Sequence, residues 1–567
     1  MTISQPTRTT CPYCGVGCGV LAEATADGNV AVRGDPDHPS NFGRLCSKGL
    51  ALGETVDLDD RLLYPEIGTE RTSWDAALDL VASRFSNAIA EHGPDSVAFY
   101  VSGQLLTEDY YVANKLMKGF IGSANIDTNS RLCMASSVAG HKRAFGTDTV
   151  PGCYEDLECA DLIVLVGSNL AWCHPVLYQR IAAAKERRPN TKIVLIDPRR
   201  TTTADIAELH LPIKPDGDVA LFIGLLKHLA DVGRTDEAFI ATHTSGFSHA
   251  LRTARAVDIL TIIERTGLSH ARLREFFDLF AQTEKVVTVF SQGVNQSVSG
   301  TDKVNAIINC HLATGRIGKP GMGPFSVTGQ PNAMGGREVG GLANTLAAHM
   351  EFDKPRDRNR VQRFWQSPVI AKKPGLKAVD MFRAVAEGRI KAIWIMATNP
   401  VVSMPAAADV QAALRNCPFV VVSDVVASTD TIRHAHVKLP AAAWGEKSGT
   451  VTNSERRISR QRCFLPLPGE AQPDWWIMCE VAKRMGFGST FDFTSPSEIF
   501  AEHAALSAFE NQGARDFDIG AFRNISHEDF DALEPFQWPR RAGEDSRSRI
   551  FADGQFFTPD RKARFVP

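Results

Sequence analysis

The sequence has no excess of either charge. Its 62 Lys and Arg face 65 Asp and Glu, for a formal net charge of −3, and neither sign gathers in a block. An obligatory nucleic-acid partner normally demands a basic total or stripe, so none is expected. Long apolar runs are missing too: nothing approaches the roughly 20 residues a bilayer helix needs, and no membrane association is expected. The stretch Met1 to Arg8 has no apolar core and no twin arginine, and no export signal fits before Cys11. A cytoplasmic location is the expectation. Short repeats and low-complexity tracts are absent. No G-x-G-x-x-G follows a strand-like run, which removes the usual NAD(P) or flavin fingerprint.

What is present is a long chain of ordinary composition. Its 567 residues exceed what one core supports, so several domains are expected. Hydrophobic residues make up 44% and charged residues 22%, as in typical globular proteins. Twelve cysteines in so long a chain do not suggest a disulfide scaffold. In a reducing compartment, clustered thiols bind metal or carry out redox chemistry.

The segment to about Asp60 is rich in turns. After it, Thr72-x-x-Asp75 is a candidate helix cap, and Leu78, Val81, Ala82, Phe85 and Ile89 share one helical face. Apolar runs then recur at 96–101, 162–166, 192–196, 286–290, 392–396 and 419–422, several separated by helix-like stretches. Such runs predict parallel strands buried on both faces. Ligands bind beyond the carboxyl ends of such strands. Those ends carry Gln104, Gly167-Ser168-Asn169, Asp197-Pro198-Arg199, Gln292, Asn399 and Ser423-Asp424. Six polar ends suit a large ligand.

The most specific motif lies near the start. Cys11, Cys14 and Cys18 fall within eight residues and Cys46 follows, a C-x2-C-x3-C-x27-C spacing. Three-plus-one spacing suits a cubane cluster, which needs four converging thiolates. Structural zinc, the alternative, usually shows two separated pairs. Gly15, Gly17 and Gly19 would let the backbone wrap tightly. Lys48 is either a plain surface lysine or a hydrogen-bonding bridge between redox centres. Cys133, in Asn129-Ser130-Arg131-Leu132-Cys133-Met134, reads as a thiol at a loop-to-helix junction. The helix start and Arg131 would favour thiolate there, and an inert buried cysteine is the bland alternative.

Cys-Pro-Tyr-Cys-Gly-Val-Gly-Cys at 11–18, Cys46-x-Lys48-Gly49 and the later Arg-Leu-Cys-Met resemble the molybdopterin oxidoreductases of the DMSO-reductase superfamily. The assimilatory nitrate reductase catalytic subunits are the nearest branch. The resemblance implies an α/β fold: a small iron–sulfur domain at 1–60, then two doubly wound, mostly parallel α/β domains around a pterin cleft. One would combine 61–140 with 345–490, and the other would be inserted as 141–344. Residues 491–567 would connect toward a C-terminal β-barrel. No Thr-Gly-Arg-type segment of that barrel is found, and exposed apolar surface beyond Phe556 is therefore expected. The implied cofactors are a [4Fe-4S] cluster on Cys11, Cys14, Cys18 and Cys46, and molybdenum held by Cys133 and two molybdopterin guanine dinucleotides. The implied contacts to these dinucleotides are Lys48, Gln104, Asn129, Gly167, Ser168, Asn169, Asp197, Arg199, Asp218, Gln292, Gln296, Asn399, Ser423, Asp424, Lys447 and Asp474. Asp218 could equally be a helix N-cap.

Two local features favour nitrate over formate. Formate dehydrogenases of this superfamily place His after the metal-binding residue, and here Met134 stands there. The segment Gly329-Gln330-Pro331-Asn332 with Arg337-Glu338-Val339-Gly340 also resembles nitrate reductases. Arg337 would offer nitrate oxygens a fixed cationic fork, or else pair with Glu338 or a cofactor phosphate. The expected catalytic set is Cys133, Met134, Arg337 and Lys48. The electron donor would be another protein, a ferredoxin, a flavodoxin or an NADH-dependent reductase subunit. A formate dehydrogenase and a non-catalytic cofactor-binding or assembly subunit are the alternatives.

Overall fold

The computed structural model describes residues 6–25 and 29–567. Thr7–Thr10, Gly19–Ala24 and Val30–Gly34 form a three-stranded antiparallel sheet. The cysteine loop 11–18 turns between the first two strands, closed by the Cys11 N–H donating to the Cys18 carbonyl at 2.9 Å.

The six apolar runs are six parallel strands, divided between two sheets. Leu162–Val166 is central to a five-stranded, all-parallel sheet, flanked by Lys192–Ile196 and then Leu209–Leu211 on one side. Val286–Phe290 and then Gly323–Ser326 complete the other side. The second sheet has seven strands, in the order Glu70–Arg71, Glu66–Ile67, Val437–Pro440, Phe419–Asp424, Ala392–Met396, Val97–Val101, Ile126–Thr128. The last five are parallel and the first two antiparallel. Five of the runs are buried at every residue, which is why they do not alternate. Against the second sheet Phe85 contacts Phe99, Trp394 and Phe419, with ring centroids 6.0 to 6.4 Å apart.

The helix Trp74–His92 presents Leu78, Val81, Ala82 and Phe85 to this core. Its cap is Ser73 rather than Thr72: the Ser73 hydroxyl accepts the Ala76 N–H at 3.2 Å. A shift of one residue puts the short oxygen within reach of the first turn.

Residues 491–567 are folded onto the body of the molecule. Pro496–Ala508 is a helix, Phe536–Gln537 extends a sheet with Gly449–Thr452 and Arg457–Gln461, and Trp538 is fully buried. The expectation of exposed apolar surface beyond Phe556 is also overturned. Phe556 stacks on Phe145 and Phe551, Phe565 packs against Phe247, and both are buried. Ala563–Arg564 pairs with Thr244–Ser245 and holds this end against the body.

Arg456 fastens that segment. It is completely buried, and its guanidinium donates to the carbonyls of Val150 at 2.8 Å and Ser548 at 2.6 Å, and also to that of Trp538. Burial lowers its pKa to about 10, still well within the cationic range. Arg456→Met should strand these carbonyls and cost about 3 kcal/mol or more. Thermal unfolding and limited proteolysis check this: the melting point should drop and cleavage should begin within 540–567. An unchanged protease pattern would show that Arg456 does not anchor the segment.

Candidate functional site

The cysteine loop is shaped by close packing. Gly17 has φ +66°, a left-handed turn, and a Cβ there would lie 2.7 Å from the Asn453 Cβ. Gly15 and Gly19 serve contact instead of turning: a Cβ on either would meet Thr328 or His38 at 2.3 Å. Cys11 and Cys18 are 7% and 6% exposed, and Cys14 and Cys46 are half-buried. Burial pushes the Cys11 thiol up to about 12 and that of Cys14 to about 11, and lifts that of Cys18 well above the usual range. The field of Cys46 adds to all three shifts, so the four sulfurs face one another. Thiolates crowded and buried this way require a compensating positive centre, which a four-iron cluster supplies. Among the described residues no three His, Cys, Asp or Glu side chains gather around a single-ion site.

Cys133 lies in the first turn of the helix Ser130–Phe145 and is 5% exposed. The Gln292 amide donates to its Sγ at 3.1 Å. Burial raises the thiol pKa, while the Gln292 hydrogen bond, the Gly329 N–H and the charge of Arg337 lower it. The expected thiolate-favouring role of Arg131 is not found. Its guanidinium is held by Asp127 at 3.0 Å and Asn344 at 2.6 Å. Arg337 is the cation whose field reaches the sulfur. It is buried and paired with Asp148 at 3.2 Å rather than with Glu338, which accepts from Thr452 at 2.9 Å and from Trp538 at 2.5 Å. Met134 is buried and its sulfur accepts the Asn295 amide at 3.4 Å.

A thin strip of chain joins the two sulfur sites. Ser454 accepts the Thr328 N–H and donates to the Gly15 carbonyl, each at 2.9 Å. At the next residue, a Cβ on Gly329 would lie 3.2 Å from the Cys133 Sγ. Lys48 is exposed, with its ammonium 5.7 Å from the Tyr13 ring centre. Its charge is felt by Cys11 and Cys14 on one side and by Cys173 and His174 on the other.

At the carboxyl edge of the five-stranded sheet lies a cleft of about 600 Å³. Six of the expected residues line it: Gly167, Asn169, Asp197, Asp218, Gln292 and Gln296. Gly167 has φ +52° and touches Gly293 across the sheet, where a Cβ would sit 2.7 Å from the Gly293 Cα. Ser168 is buried with its hydroxyl unpartnered. Arg199 is exposed and does not line the cleft, and its backbone N–H closes a turn onto Asp197 at 2.9 Å. Asp218 is the first residue of its helix rather than the N-cap, and its carboxylate pairs with Lys303 at 2.9 Å. Lys303 and Lys214 also line the cleft and were not foreseen: Lys214 follows a strand of only three residues, and Lys303 lies within the helix Gly300–Ala313.

The remaining expected residues stand at the carboxyl edge of the seven-stranded sheet. Asn129 accepts the Gly103 N–H at 3.0 Å and donates to Ser102, which in turn donates to Gln104 at 2.9 Å. Asn399 accepts from the Thr431 hydroxyl at 2.6 Å, and Ser423 from the Trp394 indole at 2.8 Å. Burial lifts the Asp424 carboxyl to about 6, opposed by the Val425 and Val426 N–H groups and reinforced by Asp474. Buried Lys447 bridges Asp474 at 2.8 Å and Asp109 at 3.4 Å. These groups fix one another and line up the strand ends, but the structure does not gather them into one cleft with the first set.

A family model described as molybdopterin oxidoreductase matches residues 61–484, and one described as molybdopterin oxidoreductase Fe4S4 domain matches residues 4–58. The chain belongs to the molybdopterin oxidoreductase family, which assigns it a molybdenum–pterin cofactor and a four-iron cluster. It is 58% identical to a nitrate reductase of Klebsiella oxytoca over 561 residues, 99% of this chain and 64% of that protein. It is 51% identical to a nitrate reductase of Shewanella frigidimarina over 574 residues, 99% of this chain and 61% of that one. The chain thus spans less than two thirds of the length of these curated relatives. Acetylene hydratase from Pelobacter acetylenicus superposes with a TM-score of 0.77 over 98% of this chain and 77% of its own, at 20% identity, a likeness of fold alone.

The Lys447 bridge gives a pH-dependent test. Burial raises the Asp109 carboxyl above its usual range, and Lys447 pulls it part of the way back. Lys447→Met should raise it further. A carboxyl raised in the folded state contributes stability that is full below its unfolded pKa and lost as pH rises through the folded value. The variant should therefore lose about 3 kcal/mol or more near neutral pH and less in mild acid. Denaturant titrations at the two pH values check this; an equal loss at both would refute the assignment.

Proposed function

We propose that this chain is the catalytic part of an enzyme that reduces nitrate to nitrite. The reaction is NO3− + 2 H+ + 2 e− → NO2− + H2O. The observation that carries the reading is the pairing of a buried cysteine sulfur, Cys133, with a buried cation, Arg337, whose field reaches it. The relatives named nitrate reductase support it.

The residues suit a bis(molybdopterin guanine dinucleotide) form of the cofactor. The 600 Å³ cleft carries Lys214 and Lys303 in its wall; Lys303, now paired with Asp216 and Asp218 at 2.9 Å, would exchange those carboxylates for a phosphate. Gly167 and Gly293 keep the strand ends clear of side chains where a pterin would approach. The second dinucleotide would follow the edge marked by Gln104, Asn129, Asn399, Ser423, Asp424, Lys447 and Asp474. When bound, the molybdenum supplies two-electron oxygen-atom acceptance.

The chain's own groups do the rest. Cys133 would be the protein ligand, its sulfur oriented by the Gln292 amide. Arg337 would hold nitrate by two oxygens, fixed in place by Asp148. Met134 would shape an apolar wall. Electrons would enter through the cluster from a separate donor protein, a ferredoxin, flavodoxin or NADH-dependent reductase subunit. Lys48 stands between the cluster loop and the cleft wall at Cys173, where it would couple the two centres. The assimilatory role and the cytoplasmic setting belong to the same proposal.

Full-length protein loaded with cofactor and supplied with reduced viologen should release nitrite from nitrate and leave formate untouched. Formate oxidation without nitrite would replace this reading with the dehydrogenase one. Iron without molybdenum would favour an assembly subunit. Cys133→Ala should lower turnover by at least about 100-fold while the iron–sulfur EPR signal persists; full activity would remove Cys133 from the metal.

A further inference from the structure

A second polar feature lies on the other side of Arg337. Asp148, its partner, follows the helix Ser130–Phe145, and its Oδ1 is buried without a hydrogen-bond partner, 4.0 Å from the Nδ1 of buried His141. His349 is next. Its Nδ1 lies 2.8 Å from Asp516 Oδ1 and 3.5 Å from Thr147 Oγ1, and its side chain is 4% exposed. Its Nε2 is buried and unpartnered, as are Asp516 Oδ2 and Arg337 Nη1. Buried polar atoms in native proteins are nearly always satisfied, by water where protein is absent. Four such atoms on four neighbouring side chains mark a wet track rather than four separate defects.

The track has an outer end. Thr147, His349 and Asp516 form part of the wall of a cavity of about 470 Å³, with Lys354, Arg356 and Arg515 on its rim. Its inner end is Arg337, whose charge acts on Cys133. Ala348 and His349 both have left-handed backbone, φ +55°, so a strained turn holds the imidazole in this position.

We propose that His349, Asp516 and Asp148 form a water-bridged relay carrying protons from the 470 Å³ cavity to Arg337, the residue proposed to hold nitrate. The inference rests on the nitrate reading for its purpose. That reaction consumes two protons for each nitrate: one oxygen leaves nitrate, two electrons arrive from the donor, and two protons complete the water released. With Nδ1–H donating to Asp516, Nε2 is the atom that takes and passes the proton.

The charged surroundings suit this role. Burial disfavours imidazolium, but the charge of Asp516 and its hydrogen bond outweigh it, so the His349 pKa lies above the usual value. Asp148 adds to the rise and Lys142 opposes it. Glu338 and His503 also face the ring through their fields, and Phe517 and Trp538 pack on it with centroids 5.6 Å away. His349 is a positioning and relay residue, because it touches neither substrate nor cofactor.

The test uses full-length, cofactor-loaded enzyme. His349→Gln and Asp516→Asn should each lower kcat by about tenfold or more, within what proton transfer contributes, and leave KM within about twofold. Imidazole should restore part of the His349→Gln loss, and the alkaline limb of the Asp516→Asn pH profile should move to lower pH. Two readouts need no turnover. A crystal structure of the wild type should show ordered water at His349 Nε2 and Asp148 Oδ1, and the His349 NMR titration should shift down in Asp516→Asn. A dry, sealed gap, or an unchanged kcat and pH profile in both variants, would overturn the relay. Failure of the wild type to reduce nitrate would overturn the nitrate reading alone, and the water and titration results would still decide the relay.

Discussion

The packing of the cysteine loop on Thr328 is the contact that the rest of the site depends on. One sulfur site lies on one side of the strip Thr328–Gly329 and Cys133 lies on the other. An electron crossing between them needs a short path, and a side chain on Gly15 or Gly329 would lengthen it. Ser454 ties the strip to the loop through two hydrogen bonds of 2.9 Å. The same strip accepts a hydrogen bond from His174, whose ring nitrogen lies 2.7 Å from the Thr328 carbonyl. Movement of this strip would disturb both centres at once, which explains why it is buried among polar partners rather than left as a mobile loop.

Burial sets the electrostatic character of both centres. It raises every cluster thiol for which a shift is resolved, and the Cys133 thiol as well. The protein therefore does not make these sulfurs reactive by itself. It brings thiols together under conditions where only a bound metal centre makes the thiolate stable. Lys48, Arg180 and Arg337 lower the cost at the margins through their charge.

Much of this was legible in the sequence, for identifiable reasons. Runs of five buried residues such as Leu162–Val166 have no polar interruption, so their strand character and their sheet-centre position are one signal. The strands that were missed, Ile126–Thr128, Leu209–Leu211, Gly323–Ser326 and Val437–Pro440, have three or four residues and carry Asp127, His210, Pro324 or Lys438. Three of them are outer strands, where one neighbour suffices and polar residues are tolerated. The cleft residue Lys214, which follows Leu209–Leu211, was lost with them. The cysteine spacing was readable because the four ligands must come from a compact loop. The surroundings of Cys133 were not, because Gln292, Gly329 and Arg337 come from distant segments, and only the fold shows that Arg131 turns away to Asp127.

The same limit applied to the last segment. The expectation of exposed apolar surface beyond Phe556 came from the family resemblance and not from the residues themselves. Phe551, Phe556 and Phe565 instead find partners at Phe145 and Phe247, far earlier in the chain. Composition cannot distinguish an uncovered apolar end from one that folds back, because the distinction lies entirely in the partner. Phe145 ends the helix that starts beside Cys133, so the segment near the end of the chain packs on the far end of the Cys133 helix. His349 and Asp516 occupy the space between that helix end and the segment's own turn. The packing that covers the phenylalanines thereby also closes the inner wall of the cavity at Thr147, and the polar track to Arg337 runs along the seam where the two are joined.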